Sequence, residues 1–493
     1  MNAVIALIVV GPILGAAAGF LSNRLPMLRD AVTVATLAAV TALATWLLIE
    51  VERNGTVVVH VGGWDPELGI VLVADLFAVM VLLVSLATIL VVELFSVAQR
   101  GTPAGADPSV VGPVLLVLTC GVALAILTGD LFTLFVAFEL ILVSSYVLLT
   151  HEGQRGQIRA GMTYVVINLF ASTLFLLGVA FVYAATGTVN MALLAERIPE
   201  LADGTRIGIG AWFLVVFGTK AAMFPLFSWL PDSYPTAPTT ITAVFAGLLT
   251  KIGVYVLIRF HVLTGMDDLG PLILVIAGFT MVVGVAGALA QDDVKRILSF
   301  HVISQIGYML MGLGLFTVAG IAGAILFLVH QIPVKTVMFL VGGLIEHRHG
   351  TSALRRVGAL ASSAPVVALL FALPALSLAG IPPFSGFAAK LALVDAGVAE
   401  ASTAIVIVSL AGSVLTLLSM TKIWIGVFWG SDTEPPIEGR DGSRWVMMQA
   451  VTGVAVAGTI AIAFLAGPLW NMSERAATDL VDKTPYIEEV LVR

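Results

Sequence analysis

The chain has a single cysteine in 493 residues, Cys120. One thiol cannot build a disulfide framework, a Cys-coordinated zinc site or a Cys-ligated iron–sulfur cluster. Charge is also scarce. Only 11% of residues are Asp, Glu, Lys or Arg, against about 25% in an ordinary soluble domain. The net charge of −7 (24 basic and 31 acidic residues) includes no basic tract, so nucleic acid is not an expected partner. There is no Walker A sequence and no Gly-x-Gly-x-x-Gly turn, so the signatures of ATP and dinucleotide binding are missing. No haem or cluster ligand pattern occurs, and no His/Cys/carboxylate set has metal-ligand spacing. No cofactor is expected.

What the chain has is apolar length. Hydrophobic residues make up 59%, and the mean hydropathy is +1.06. A soluble domain cannot hide that much apolar surface, because single cores stop growing at about 250–300 residues. A helical membrane span takes about 20 apolar residues. Helix is the default there because lipid offers backbone groups no partner. The alternating ten-residue segments of a membrane barrel are absent. The expected fold is all-α and polytopic, with fourteen spans at 3–21, 31–50, 70–95, 112–128, 130–150, 162–185, 207–232, 237–260, 270–290, 294–317, 319–343, 364–394, 403–429 and 446–469. The first span lacks a basic n-region and reads as mature structure rather than a signal peptide.

Spans seven and twelve are expected to be broken. Pro225 and Pro231 interrupt the seventh, and Pro374, Pro382 and Pro383 the twelfth. Proline removes a backbone donor and clashes with the preceding turn. The break sequences are alike, Pro225-Leu226-Phe227-Ser228 and Pro382-Pro383-Phe384-Ser385, at an offset of 157 residues that covers five spans. Five is odd, so a second copy would lie inverted in the bilayer. Paired interrupted segments point to an ion or substrate site. This divides the chain into 1–95, a first five-helix repeat at 112–260, a second at 270–429, and a last span with its tail at 446–493.

Orientation follows from basic residues. Loops after odd-numbered spans hold twelve: Arg24, Arg29, Arg100, Arg155, Arg159, Lys295, Arg296, Arg348, Arg355, Arg356, Arg440 and Arg444. Loops after even-numbered spans hold three, Arg53, Arg197 and Arg206, and the tail adds Arg475, Lys483 and Arg493. The positive-inside rule then puts both termini outside.

Ionisable residues near mid-bilayer are costly and functional by default. Glu139 lies nine residues past Asp130, roughly 13 Å at helical rise. Lys220 precedes the Pro225 break, Lys251 lies deep in span eight, and Lys390 follows the Pro382-Pro383 break. His330 and Lys335 lie in span eleven with Pro333 between them. Five positions is roughly 500° of rotation, so those two share a face only if the proline kinks the helix. Lys422 and Arg259 stand near span ends and read as snorkelling side chains. Asp75 and Glu93 bracket span three and are expected to face headgroups or a partner. His60, His151, His261, His301, His347 and His349 fall mostly in loops or at span ends, with His347-Arg348-His349 read as a loop patch. A central Glu, several lysines, a His and two broken helices make a row of protonatable groups suited to carrying protons.

The segment GTKAAMFPLFSWLPDSYPTAPTTITAVFAGLLTKIG at 218–253 resembles the proton-translocating membrane subunits shared by complex I and the multisubunit cation/proton antiporters. TGDLFTLFVAFEL (128–140), HQIPVKTVMFLVGG (330–343) and GIPPFSGFAAK (380–390) match further segments, and the likeness covers about residues 70–430. It is nearest to the D-subunit family of Mrp-type Na+/H+ antiporters. The complex I relatives are expected to carry histidines where Ser228 and Tyr234 stand here. The resemblance implies a Glu139–Lys220 ion pair, Lys251 as the onward link, His330 bridging the halves, Lys390 serving the second half-channel, and Lys335 in the span-eleven motif. It also implies work as one subunit of a hetero-oligomeric complex in the bacterial plasma membrane, exchanging protons for Na+ rather than acting as an enzyme. Two other readings stand beside it: a proton-pumping subunit of complex I or a membrane-bound hydrogenase, and a structural subunit with relict charges.

Overall fold

Helix ends in this protein are set by small polar residues at the membrane faces and by proline within it. The computed structural model describes residues 2–67, 69–100, 108–431, 437 and 442–491. Arg440 and Arg493 of the charge count lie outside the described residues.

The chain runs through α1 (Asn2–Leu21), α2 (Pro26–Asn54), a hairpin of β1 (Val57–His60) and β2 (Val71–Ala74), α3 (Leu76–Gln99), α4 (Pro108–Leu127), α5 (Leu131–Thr150), α6 (Arg155–Thr186) and α7 (Met191–Arg197). Then come α8 (Asp203–Ala221), α9 (Leu230–Ser233), α10 (Thr239–Val244), α11 (Thr250–Leu263), α12 (Gly270–Leu289), α13 (Val294–Leu315), α14 (Val318–His349) and α15 (Leu360–Ser363). The last elements are α16 (Pro365–Ala379), α17 (Ser385–Ala399), α18 (Thr403–Ile423), α19 (Ser443–Phe464), α20 (Ala466–Asp482) and α21 (Thr484–Leu491). A π turn, Phe245–Leu249, joins α10 to α11. Among the described residues twelve helices are long and apolar enough to cross a membrane, with Thr239–Leu263 taken as one. Two more are interrupted: α8 gives way to α9, and α16 to α17.

The first four N–H groups of a helix have no intrahelical partner, and side-chain oxygens supply one. Asp75 caps α3 through Ala78 N at 2.8 Å. Asp130 caps α5 through Thr133 N at 2.6 Å, and Asp293 caps α13 through Arg296 N at 3.0 Å. These caps mark two faces. On one, the hairpin bridges to Thr128, Asp130 pairs with Asn190, and Arg206 meets Asp268. On the other, Asp293 pairs with Ala353, Arg296 meets Asp232 at 2.9 Å, and Lys295 meets Glu346 at 2.7 Å. The interrupted helices start from opposite faces and run in opposite directions.

Several expectations change. The predicted span 70–95 begins with strand β2, and helix starts only at Leu76. Val71–Ala74 pairs antiparallel with Val57–His60. A four-residue apolar run flush against a helix has no periodicity to tell strand from helix, and β-branched residues decide it. Asp75 does not face headgroups: it grips Arg259 through two 2.7 Å bonds. Arg259 does not snorkel. It is 3% exposed, takes the Tyr255 hydroxyl as acceptor at 2.8 Å, and lies over the rings of Phe77, Tyr255 and Tyr486. Glu93 is 1% exposed, with Arg100 at 3.6 Å. His347 and His349 are buried in the last turn of α14 rather than in a loop. Lys422 does reach a face, where it donates to Leu289 O at 2.9 Å and Gln291 O at 2.5 Å. The tail folds into α20 and α21, and α20 buries Ser473, Ala476, Ala477 and Leu480.

Removing one partner of a buried ion pair strands the other charge, at about 3–5 kcal/mol, whereas an exposed pair contributes about 0–1 kcal/mol. Asp75→Ala is therefore expected to lower the unfolding temperature of the detergent-purified protein clearly, and Asp268→Ala scarcely. Equal melting curves for the two variants would contradict the assignment of Asp75–Arg259 as a buried structural pair.

Candidate functional site

A buried lysine lies at each break, but only the second break offers its carbonyls to an amine. Helix α8 stops at Ala221, and Ala222 turns left-handed at φ 59°. Met223 N closes on Gly218 O at 3.0 Å, and Trp229 Nε1 takes Thr219 O at 3.1 Å. The chain then crosses Pro225 irregularly until α9. Lys220, 6% exposed, sits in the last turn of α8. Its Nζ donates to Asn168 O at 3.2 Å and Ser172 Oγ at 3.0 Å, both on α6, and lies 5.7 Å from the Phe138 ring centre.

Helix α16 stops at Ala379, followed by Gly380 at φ 86°. The chain passes Pro382 and Pro383 and returns as α17, whose Lys390 reaches back to the end of α16. Its Nζ donates to Leu378 O at 3.1 Å, Ala379 O at 3.2 Å and Ser413 Oγ at 3.0 Å. Helix C-terminal carbonyls lack intrahelical partners and carry partial negative charge, so this end receives an ammonium without a carboxylate. Glycine permits the approach. A Cβ on Gly380 would lie 2.8 Å from Lys390 Cδ, and one on Gly386 would lie 1.8 Å from Ser377 O.

Between the ends lie Lys251, Lys335 and His330. Lys251 is fully buried, and its Nζ donates to Ala246 O at 2.5 Å. The π turn widens the backbone ladder there, and Lys251 answers five residues on. A Cβ on Gly253 would touch the backbone of Lys220 and Ala221, so α11 packs directly on the end of α8. His330 Nδ1 is 2.9 Å from Ser385 Oγ at the start of α17, and its Nε2 has no partner. Lys335 is fully buried, and its Nζ has no hydrogen-bond partner. Helix α14 continues through Pro333 without a break.

Glu139 departs from the expected geometry. No ion pair within 4 Å joins it to Lys220, whose Nζ is bonded to α6, and Glu139 Oε1 is buried without a partner. The lysine is held by neutral oxygens instead. Sequence reasoning overlooked the neutral partners, the Asn168 carbonyl and Ser172 at Lys220, Ser413 at Lys390 and Ser385 at His330, because a backbone carbonyl or an isolated serine in an apolar helix gives no signal. It also placed His301 with the loop histidines. His301 is fully buried in α13, and its spacing to Gln305 and Tyr308 on one helical face was the available clue.

A membrane-domain family described as NADH:quinone oxidoreductase/Mrp antiporter matches residues 128–416. The D subunit of the Na+/H+ antiporter of Alkalihalophilus pseudofirmus is 44% identical over 453 residues, 91% of each chain. The corresponding D subunit of Bacillus subtilis is 36% identical over 479 residues, 96% of each. Among solved structures, a chain of the Mrp complex from Dietzia sp. DQ12-45-1b superposes with a TM-score of 0.91 at 33% identity over the full length of both. A chain of the archaeal membrane-bound sulfane sulfur reductase gives 0.90 at 27% identity, covering 99% of this chain and 100% of that one.

Proposed function

The chain belongs to the D-subunit family of Na+/H+ antiporters, and from that premise we propose that it moves protons along a row of buried side chains, Glu139, Lys220, Lys251, Lys335, His330 and Lys390, in exchange for Na+ efflux. It is a multi-pass membrane protein and a subunit of a multisubunit secondary transporter, not an enzyme.

The observation that carries the reading is the chemistry of the amine partners. Lys220, Lys251 and Lys390 are held by carbonyl and hydroxyl oxygens. A lysine clamped by a carboxylate is fixed in its charged form. One held by neutral acceptors can lose its proton without leaving a buried counter-charge behind. Lys335 has no hydrogen-bond partner of its own. At an effective dielectric of 20, two unit charges 10 Å apart repel by roughly 1.7 kcal/mol. Protonating one member therefore favours release from the next.

In this reading the interrupted helices complete fourteen spans. Residues 112–260 and 270–429 form the inverted five-helix repeats, with 1–95 and 446–493 flanking them. The opposite directions of α8 and α16 support this. The face carrying Arg296, Lys295 and Lys422 is cytoplasmic and both termini lie outside, which rests on the twelve-to-three basic asymmetry. The redox-complex alternative has weaker support, since among the solved structures the sulfane sulfur reductase chain is 27% identical and the Mrp-complex chain 33%.

In everted vesicles holding the whole complex, Glu139→Ala and Lys220→Ala are each expected to abolish Na+-driven pH-gradient dissipation while the protein stays in the membrane. Glu139→Asp is expected to keep part of it. Near-normal exchange by either alanine variant would reject the row. For orientation, a cysteine at Gly350 is expected to react with a charged thiol reagent only from the cytoplasmic side, and one at Asp267 only from outside. The reverse pattern would reject the topology.

A further inference from the structure

A polar cavity of about 270 Å³ opens on the face that carries Arg296 and Lys422, where the start of α6, the link from α9 to α10, the start of α13 and the end of α14 meet. Its lining includes Glu152, Gln157, the 235–238 segment, Lys295 and Glu346. None of these groups has a place in the row. Gln157 stands in the first turn of α6 and is 2% exposed. Its Nε2 donates to Glu152 Oε2 at 2.7 Å, and its Oε1 is buried without a partner. Gln154 donates to the same carboxylate oxygen at 3.2 Å, so both amides act on Oε2 and leave Oε1 of Glu152 to a ligand. Glu346 is already committed: its Oε2 takes Lys295 Nζ at 2.7 Å and the Thr239 hydroxyl at 2.7 Å.

The lining is rich in acceptors and poor in donors. The 235–238 segment leaves helical geometry, with Ala237 and Pro238 extended, and its two prolines bring carbonyls without N–H groups. Lys295 is the one ammonium of the lining, and its Nζ is spent on Glu346 and on Ala237 O at 3.4 Å. Two carboxylates against one ammonium leave the cavity with a negative charge. Hard cations take carboxylate, carbonyl and amide oxygens together with water. A water molecule occupies about 30 Å³, so an ion in this space keeps part of its hydration shell. A buried amide oxygen without a donor is unfavourable as packing alone, and an incoming cation satisfies it. Among the described residues no group of three His, Cys, Asp or Glu could hold a metal ion. That disfavours a tightly held divalent metal and leaves a monovalent ion.

We propose that this cavity is a Na+ site, the place where the chain meets the cation that is exchanged. Glu152 supplies the charge. Gln157 Oε1 and the carbonyls of the 235–238 segment supply neutral ligands to a partly hydrated ion, while Lys295 stays on Glu346. The inference rests on the antiporter reading above, which makes this face cytoplasmic and Na+ the exported ion. The site shares its elements with the row. Gln157 begins the helix whose Asn168 carbonyl and Ser172 hydroxyl hold Lys220. The 235–238 segment leads through α10 into the π turn whose Ala246 carbonyl holds Lys251. An ion drawing on Gln157 and on this segment therefore pulls on the two elements that present oxygen to the first two lysines.

The test uses the assembled antiporter in everted vesicles, with a cysteine at Gly350, which lines the cavity; the native Cys120 is buried. Na+ is expected to slow labelling by a positively charged thiol reagent at least threefold relative to choline at the same concentration, and Glu152→Gln is expected to remove that protection. In transport, Glu152→Gln and Gln157→Met are each expected to raise the Na+ concentration for half-maximal proton movement at least fivefold, with the maximal rate within twofold of the parent. Asp232→Asn removes an exposed carboxylate of the same face, outside the cavity, and is expected to leave that concentration unchanged. Equal labelling in Na+ and choline overturns the site. So does half-saturation within twofold of the parent in both cavity variants, and so does an equal rise in Asp232→Asn, which marks a general effect of surface charge. A partner subunit lost from either cavity variant also overturns it, because the cavity then receives a protein group rather than an ion. The site and the row fail separately, since thiol labelling needs no proton movement. Protection beside an active Lys220→Ala removes only the row, and no protection beside an inactive Lys220→Ala removes only the site.

Discussion

A buried amine can change its charge only if its partner is not itself a full charge. The architecture around the mid-membrane lysines follows from that constraint. Lys390 rests on the carbonyls that end α16, Lys251 on a carbonyl of a π turn, and Lys220 on a backbone carbonyl and a serine of α6. In a regular helix each interior carbonyl already accepts one backbone N–H, and only the last turn leaves carbonyls without one. Lys220 shares a carbonyl and a serine hydroxyl of the unbroken α6, whereas the break at Pro382-Pro383 and the π turn before Lys251 are means by which an apolar bundle offers oxygen to an amine. The glycines at 380 and 386 let the returning helix come close enough to use it.

The same protein uses full ion pairs where charge must stay put. Asp75 and Arg259 are joined by two short bonds under a roof of aromatic rings, and Lys295 and Glu346 are joined at the other face. Both pairs pin helix ends at the membrane faces. In the interior the one carboxylate of the proposed row, Glu139, stays out of direct contact with Lys220. The charged residues thus divide into those joined to a counter-charge at the faces and those held by neutral oxygens in the interior.

Much of this was legible in the sequence, and the remainder failed for identifiable reasons. Apolar length located the helices, and proline located the breaks, because both act through local backbone physics. The buried lysines stood out because an ionisable residue inside an apolar run is rare. What was missed depends on tertiary neighbours. Nothing local says that Arg259 meets Asp75, 184 residues away. Nor does it say that Glu93 and the histidines at the end of α14 are covered by other elements. The hairpin was read as the start of a span because Val71–Ala74 is as apolar as the helix it precedes. Amphipathic α20 and α21 were taken for a tail because their apolar faces are narrow. The Glu139–Lys220 contact came from resemblance alone, and the geometry holds Lys220 on α6 instead.

Lys335 offers the most direct measurement of whether the row carries protons. Its amine is fully buried and has no hydrogen-bond acceptor, so it contributes nothing to stability that methionine would not supply better. The measurement is Na+-driven proton movement by the assembled complex carrying Lys335→Met, made beside its melting temperature. The account predicts an equal or higher melting temperature with proton movement abolished, because a titratable step is lost and packing is kept. Full transport by a stable Lys335→Met complex would contradict it.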